Sequence, residues 1–413
     1  MADVKYLLIG GGLASFHCAK NIRRTDAEGS ILLVSEEDIP PYDRPPLSKE
    51  SIRGEKSRED LIYESAEKLE EQQIGLKLGA KVVSMDLAAK SVKLANGETI
   101  SYEKAFIATG GRVIRIPIPG ADLEGVYYLR DLPDAEGIQE EAKTAKKAVV
   151  IGAGFVGLET AASLTQLGVQ VTVIEAMPHI WARFADEDLA GFFQDYCTNK
   201  GITFECNEMV TEIRGDKKAQ QVVTKSGKVF DCDFVCVGIG IVPNVELARD
   251  AGLAVENGII VNEFQQTSNA DVYAAGDVVN YHDPVFNRRR RVEHWGHAEY
   301  GGQIAGYNMA AGNERAYDFL SYVWSDIFDL RLESAGDESE RDTVIIRGKF
   351  EDAKFTVLYL KDGQLTAYLA VNGDIREFTV WRRLIRGKND LRGKEDLLKD
   401  QTYNVRDLLK ATA

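Results

Sequence analysis

Residues 147–175 read KAVVIGAGFVGLETAASLTQLGVQVTVIE, and this stretch decides the fold. The apolar run Lys147 to Ile151 predicts a strand. Gly152, Gly154 and Gly157 then predict a tight turn that opens a helix, and QVTVI predicts a second strand ending at Glu175. The first glycine permits the turn, the second lets a pyrophosphate approach the backbone, and the third lets the helix pack closely on the strand. The pyrophosphate would rest on the free N–H groups and the positive dipole end of that helix. Gly154 and Glu175 are 21 positions apart, near the ~20 expected between such a loop and the acid that bonds a ribose.

The same pattern stands at the beginning of the chain. Val4 to Ile9 is apolar, Gly10, Gly11 and Gly12 follow, then the helical run LASFHCAKNIRR, then the strand ILLV (31–34), and Glu36 comes 24 positions after Gly12. Gly10 permits the turn, Gly12 admits the pyrophosphate, and Ser15 fills the third, small position. A lone glycine fingerprint is as easily a structural turn as a binding loop, but two complete strand–turn–helix–strand–acid units in one chain predict two Rossmann-like nucleotide-binding domains in an α/β fold. Glu175 also bears on the choice of nucleotide. A carboxylate there bonds the 2′-hydroxyl of NAD and repels the 2′-phosphate of NADP. Ala176, Met177 and Pro178 offer no arginine to that phosphate, although Arg183 lies further on. NADH is therefore expected over NADPH.

A length of 413 residues predicts two to four domains. The net charge of −15 argues against a nucleic-acid binder, which needs clustered Lys and Arg for phosphates. Two basic islands interrupt the acidic chain: Arg288 to Arg291, and Arg382, Arg383, Arg386, Lys388, Arg392 and Lys394. Cys18, Cys197, Cys206, Cys232 and Cys236 are odd in number and irregularly spaced, so they read as small buried hydrophobes, not as a secreted disulfide framework. No metal-ligand cluster is expected. VKYLLIGGG runs straight into the first glycine turn without the features of a signal peptide, and no apolar stretch approaches the ~20 residues of a membrane span. A cytoplasmic protein without a membrane partner is expected.

Further motifs carry a family resemblance: IGGGLAS (9–15), PYDRPPLSKE (41–50), IATGGR (107–112), VVIGAGFVGLE (149–159), VGIGIVPN (237–244), VYAAGDV (272–278), VEHWGHA (292–298) and WSDIFDL (324–330). With these, the chain resembles the FAD-dependent NADH:ferredoxin reductases of oxygenase systems, of the putidaredoxin, rubredoxin and biphenyl-dioxygenase reductase type, and the related apoptosis-inducing factor. The resemblance implies a glutathione-reductase-like arrangement. Its parts are a discontinuous FAD domain (1–112 and 244–320), an NAD domain (113–243) and a C-terminal α+β domain (321–413). The coarse pattern agrees: VKLANGETI (92–100) has the Asn-Gly of a hairpin, and alternating strands follow residue 320.

The resemblance also implies the site residues. FAD would be held by Gly10, Gly12, Ser15, Glu36, Arg44, Lys49, Val82, Ala108, Thr109, Gly110 and Arg130, and further by Gly276, Asp277, Glu293, His294 and Trp295. Asp277 would bond the ribityl chain, and Trp295 would lend a backbone N–H at the start of a helix aimed at the flavin. NADH would be held by Gly152, Gly154, Phe155, Val156, Glu159, Glu175, Arg183, Gly238, Ile239 and Gly240. Lys49, Glu159 and Trp324 would be catalytic, the Lys–Glu couple aligning the flavin and nicotinamide and Trp324 packing near the flavin edge. The chain departs from the family's pattern at Ser15, at Asp131 in place of a usual Thr, and at His297 in place of a common Asn.

Disulfide reductases of the same superfamily place a Cys-x4-Cys pair where this chain has PYDRPPLSKE, so a dithiol relay is excluded. The expected reaction is hydride transfer from NADH to FAD, followed by single-electron transfer to a small acidic iron–sulfur carrier, a ferredoxin or rubredoxin. The basic islands are candidate docking faces for such a carrier. Two other readings remain open at this level: a slowly turning NADH-sensing binding protein like apoptosis-inducing factor, and a reductase of a quinone or monodehydroascorbate. The chain would be a monomer or a homodimer.

Overall fold

The computed structural model describes residues 2–182, 185–339 and 341–410. The chain forms two compact units. One comprises Met1–Asp43, Leu61–Arg112 and Val242–Val323, and the other comprises Arg44–Asp60, Val113–Ile241 and Trp324–Ala413. The PYDRPPLSKE motif is thus divided between them after Asp43.

The first unit is built on a sheet whose parallel strands run Ile74–Lys77, Ile31–Val34, Ala2–Ile9 and Thr99–Ile107, with Val272–Ala274 also parallel to the last of these. The antiparallel strands Ser91–Leu94 and Val82–Asp86 continue it, and the expected hairpin turns at Asn96–Gly97, where Gly97 has φ +89°. Register aligns Ile9 with both Val34 and Ile107, and Ile107 with Ala274. Gly10, Ser35, Ala108 and Ala275 therefore leave the sheet side by side at the carboxyl ends of the strands, where open α/β sheets bind their ligands.

Helices Leu13–Thr25 and Trp295–Ala311 pack on each other in this unit with unusual intimacy. A Cβ added at Gly302 would lie 2.2 Å from the Ala14 carbonyl oxygen, and one at Gly306 would lie 2.3 Å from that of Cys18. Both pairs are spaced i, i+4, so the small residues form one continuous seam along each helix. Here the backbones touch with no side chain between them.

The second unit repeats the first scheme. Its parallel sheet runs Thr203–Cys206, Gln170–Glu175, Lys147–Ile151, Phe234–Val237 and Val126–Tyr127, and Ile151 aligns with Ile174 and Val237. Gly152, Glu175 and Gly238 emerge together at its carboxyl edge. The chain after residue 320 makes an antiparallel sheet in the order Tyr322–Ile327, Leu330–Gly336, Gln364–Val371, Lys354–Lys361 and Thr343–Lys349, as its alternating pattern predicts. Asp362 and Gly363, with φ +51° and +77°, close the two-residue hairpin in the left-handed geometry that such turns require. Arg347 is buried in this sheet. It binds Glu377 at 2.8 Å and donates to the carbonyls of Leu398, Gln401 and Tyr403, so the segment 398–403 closes over it.

Candidate functional site

In the first unit the glycine turn is shaped by exclusion. Gly10 has φ +113°, and a Cβ there would meet the Ala108 carbonyl oxygen at 2.3 Å; one at Gly11 would meet Ser35 Oγ at the same distance. At Gly12 an added Cβ would meet nothing within 4 Å. Gly12 caps helix Leu13–Thr25 without a side-chain hydrogen bond, so the cradle fits a diphosphate that approaches the backbone. Ser15 is fully buried and its Oγ has no partner among the described residues, consistent with a position that tolerates only a small side chain.

Glu36 follows its strand as predicted, is exposed, and pairs with Lys81 at 2.9 Å. Val82 opens the strand Val82–Asp86. Ala108 N donates to Ile9 O, while Thr109 and Gly110 are clasped by Asn244: Thr109 Oγ1 donates to Asn244 O at 2.8 Å, and Asn244 donates back from Nδ2 to Thr109 O and from its backbone N to Gly110 O. In the sequence Asn244 carries no signal beyond closing the VGIGIVPN motif.

Gly276 has φ +83° and sits between Ala14 and Ala298. The backbone carbonyl of Asp277 accepts from Arg291 at 3.3 Å, and Arg291 also binds Glu293 at 2.6 Å. Helix Trp295–Ala311 begins after His294, which offers no side-chain cap. Trp295 itself is the first helical residue, and its indole N–H is held by Asp43 at 2.9 Å together with the Tyr63 hydroxyl. Those two partners carry no pattern that sequence reasoning could have joined to Trp295.

His297, one of the departures from the family's pattern, is a core residue. It is 0% exposed, its Nδ1 pairs with the Tyr317 hydroxyl at 2.6 Å, and its ring lies against Tyr281. Burial lowers its pKa to about 3, and burial lowers that of His294 to about 4. A histidine kept neutral in the fold but free to protonate when unfolded contributes stability that is complete above the unfolded pKa of 6.5 and shrinks as pH falls below it. His297 alone should therefore account for about 2 kcal/mol of the stability lost between pH 7.5 and 5. Denaturant unfolding at the two pH values, compared with His297→Asn, measures this: the variant is less stable at pH 7.5 but loses less on acidification.

The first basic island is partly engaged by its own unit, with Arg288 and Arg289 exposed. Arg289 donates to the carbonyls of Val261 and Asn280, Arg290 faces Asp283 at 3.5 Å, and Arg291 is engaged as above. On the second island Arg382 binds Glu333, while Arg383, Arg386 and Lys388 are exposed at the end of helix Ile375–Gly387.

In the second unit Gly152 has φ +99° and its Cβ would strike the Gly238 carbonyl oxygen at 2.6 Å; that of Gly157 would strike the Gly152 carbonyl oxygen at 2.1 Å. Gly154 is exposed and caps helix Phe155–Gln166 without a side-chain bond. The nearest atom to an added Cβ there is 4.0 Å away. Glu175 does more than the sequence implied. Its Oε2 accepts the Ala153 N–H at 2.7 Å and its Oε1 accepts the Met177 N–H at 2.9 Å, so the carboxylate ties down the glycine turn. A carboxylate has about four acceptor positions, which leaves capacity for a ribose hydroxyl. Phe155 packs against Trp181, Val156 is exposed, and Ile239 is half-buried beside Gly238. Gly240 takes φ +107° and its carbonyl accepts from Ile114 N. Arg183 lies outside the described residues.

The second unit also gathers the expected catalytic pair. Glu159, on the helix that follows Gly154, and Lys49 are each 6% exposed, with Lys49 Nζ 3.3 Å from Glu159 Oε1. Two serines join them that the sequence reading did not name. Ser48 Oγ donates to Glu159 Oε2 at 2.5 Å, and Ser325 Oγ donates to Oε1 at 2.6 Å. Trp324 precedes Ser325 on the strand Tyr322–Ile327 and is half-buried. Arg44 Nη1 donates to the Arg130 carbonyl at 2.7 Å. Asp131, the departure from the usual Thr, caps helix Leu132–Ala142 in a reciprocal pair with Asp134. Burial and the neighbouring Asp131 raise Asp134 to a pKa of about 6.

All five cysteines are free, with Cys18, Cys197, Cys232 and Cys236 buried and Cys206 half-buried. Among the described residues no cluster of His, Cys, Asp and Glu could hold a metal ion, and no helix is long and apolar enough to cross a membrane.

Comparison with known proteins covers nearly the whole chain. Residues 4–302 match the family model for pyridine nucleotide-disulphide oxidoreductases, and residues 322–409 match a reductase C-terminal domain. The chain is 35% identical over 367 residues to rhodocoxin reductase of Rhodococcus erythropolis, covering 89% of this chain and 86% of that one. It is 33% identical over 386 residues to the ferredoxin–NAD(+) reductase component of the anthranilate 1,2-dioxygenase system of Burkholderia cepacia, covering 93% and 95%. Among solved structures, the covalent putidaredoxin reductase–putidaredoxin complex superposes with a TM-score of 0.94 at 28% identity, covering 100% of this chain and 99% of that one.

Proposed function

The chain belongs to the pyridine nucleotide-disulphide oxidoreductase family, and from that premise we propose that it takes hydride from NADH onto FAD and passes electrons singly to a small iron–sulfur carrier protein. The observation that carries this reading is the doubled glycine turn: Gly12 and Gly154 each stand open at the carboxyl edge of a separate parallel sheet. When bound, FAD supplies the conversion between two-electron and one-electron chemistry. The chain's residues bind, orient and shield. We assign residues 1–112 and 244–320 to FAD, 113–243 to NADH and 321–413 to the C-terminal domain.

In this reading the uncapped N-terminus after Gly12 holds the FAD diphosphate with Arg44, and Glu36 takes the adenosine ribose. Asp277 takes the ribityl chain, and the start of helix Trp295–Ala311 stabilises negative charge on the reduced ring. Gly154 and Glu175 hold NADH, and Glu175 disfavours the 2′-phosphate of NADPH. Lys49, Glu159 and Trp324 align the two rings. The segment 41–50 holds Lys49 and no cysteine, so electrons leave without a protein dithiol. Five unpaired cysteines suit a reducing cytoplasmic compartment.

The carrier docks on the second basic island, where Arg383, Arg386 and Lys388 are exposed together at the end of one helix. The test is anaerobic mixing of the NADH-reduced protein with oxidised ferredoxins. Reoxidation should be fast at low salt and slow at high salt. Arg383→Glu combined with Lys388→Glu should raise the carrier KM about tenfold while leaving reduction by NADH unchanged. Reduced protein that persists whatever carrier is offered would replace this reading with that of a redox-sensing binding protein.

A further inference from the structure

The buried lysine–glutamate pair is longer than most lysine–carboxylate pairs that are more exposed in the same molecule, Lys361–Asp342 at 3.7 Å being an exception. Lys5–Asp26, Lys20–Glu64 and Lys200–Asp329 close to 2.7 Å and Lys218–Glu141 to 2.6 Å, yet Lys49–Glu159 stands at 3.3 Å. Burial strengthens the attraction between opposite charges, so this pair should be among the tightest. What differs is the competition for the carboxylate. Ser48 and Ser325 reach it first, at 2.5 Å and 2.6 Å, one on each oxygen.

Both serines are held in place. Ser48 ends the turn Pro45–Ser48, and its carbonyl accepts from Ser163 Oγ at 2.8 Å; Ser163, one turn after Glu159, in turn accepts from Arg53. Ser325 is 0% exposed on the strand that carries Trp324. The carboxylate is thus fixed by neutral hydroxyls from two separate segments. Lys49 Nζ, with three N–H bonds to donate, makes a single long contact among the described residues.

We propose that Ser48 and Ser325 are positioning residues that hold the Glu159 carboxylate off Lys49, keeping the ammonium available to an acceptor on the bound flavin or nicotinamide. The inference rests on the functional reading above, in which Lys49 faces the reacting rings. Without the serines the carboxylate would turn to its remaining donor, the pair would close, and the ammonium would be withdrawn.

The test is a mutant cycle on the FAD-loaded protein, in which Ser48→Ala/Ser325→Ala is made in the native background and again on Lys49→Met. Bleaching of the flavin by saturating NADH is followed anaerobically, together with NAD(+) titration and melting temperature. The serine pair should slow bleaching about tenfold in the native background and add less than about twofold on Lys49→Met, because its effect runs through Lys49. Ser325→Thr should recover most of what Ser325→Ala loses. A crystal structure of the double serine variant should show Nζ–Oε1 shortened to about 2.8 Å. Equal losses in both backgrounds, native bleaching in the serine variant, or an unchanged Nζ–Oε1 distance would each overturn the proposal. A native protein that NADH does not bleach would instead overturn the functional reading.

Discussion

Gly302→Val is expected to leave no FAD-bearing protein to purify, and Gly302→Ala to destabilise the fold by about 3 kcal/mol, the upper range for forcing added carbon into a packed core. A Cβ at this position would sit 2.2 Å from the carbonyl oxygen of Ala14, a backbone atom that cannot swing aside. Relief requires helices Leu13–Thr25 and Trp295–Ala311 to separate along the whole seam, since Gly306 meets Cys18 in the same way one turn later. Ala14 is the second residue of the helix that Gly12 opens, so separation also displaces the proposed diphosphate cradle. Gly191 is the control. It lies inside helix Glu187–Asn199 with nothing within 4 Å of an added Cβ, and Gly191→Ala should be neutral or stabilise by about 0.5–1 kcal/mol. Flavin content and melting temperature of the three variants measure the difference.

Glu175→Ala should weaken NADH binding by about 30-fold, the loss of charged hydrogen bonds worth roughly 1.5–3 kcal/mol, and narrow the preference over NADPH. The carboxylate has two duties here. In the proposed reading it takes a ribose hydroxyl, and it already binds the N–H groups of Ala153 and Met177. Alanine removes both, so the glycine turn itself loosens. Glu175→Gln keeps one acceptor oxygen for the loop, carries no charge against a 2′-phosphate, and should fall between the two. KM values for NADH and NADPH with the NAD(+) dissociation constant separate these outcomes. An unaltered NADH KM in Glu175→Ala would remove this residue from the site.

What was legible in the sequence follows from local physics. Each glycine turn announces itself because only glycine fits beside Ala108 O or Gly238 O, and Glu36 and Glu175 follow at a spacing set by one helix and one strand. The contacts that complete the site join segments far apart in the chain. Ser325 meets Glu159 across 166 positions, and Trp295 meets Asp43 across 252. No periodicity encodes such meetings. Within the run Arg288 to Arg291 an antiparallel strand turns alternate residues to opposite sides, so that Arg289 reaches backbone carbonyls and Arg290 meets buried Asp283 while Arg288 and Arg289 stay exposed, a division that four identical letters do not show. The packing of Tyr281 and Tyr317 around His297 likewise carries no signal in the sequence.

The central claim is direct hydride passage between two nucleotides held by two separate glycine turns. Anaerobic stopped-flow of the FAD-loaded protein with NADH deuterated on one or the other face of C4 tests it most directly. The account predicts rapid flavin bleaching that is slowed about threefold or more by deuterium on one face only, because a chain that fixes the ring by Gly154, Glu175 and Lys49 presents a single face. Bleaching insensitive to deuterium on either face, or no bleaching at all, would contradict it.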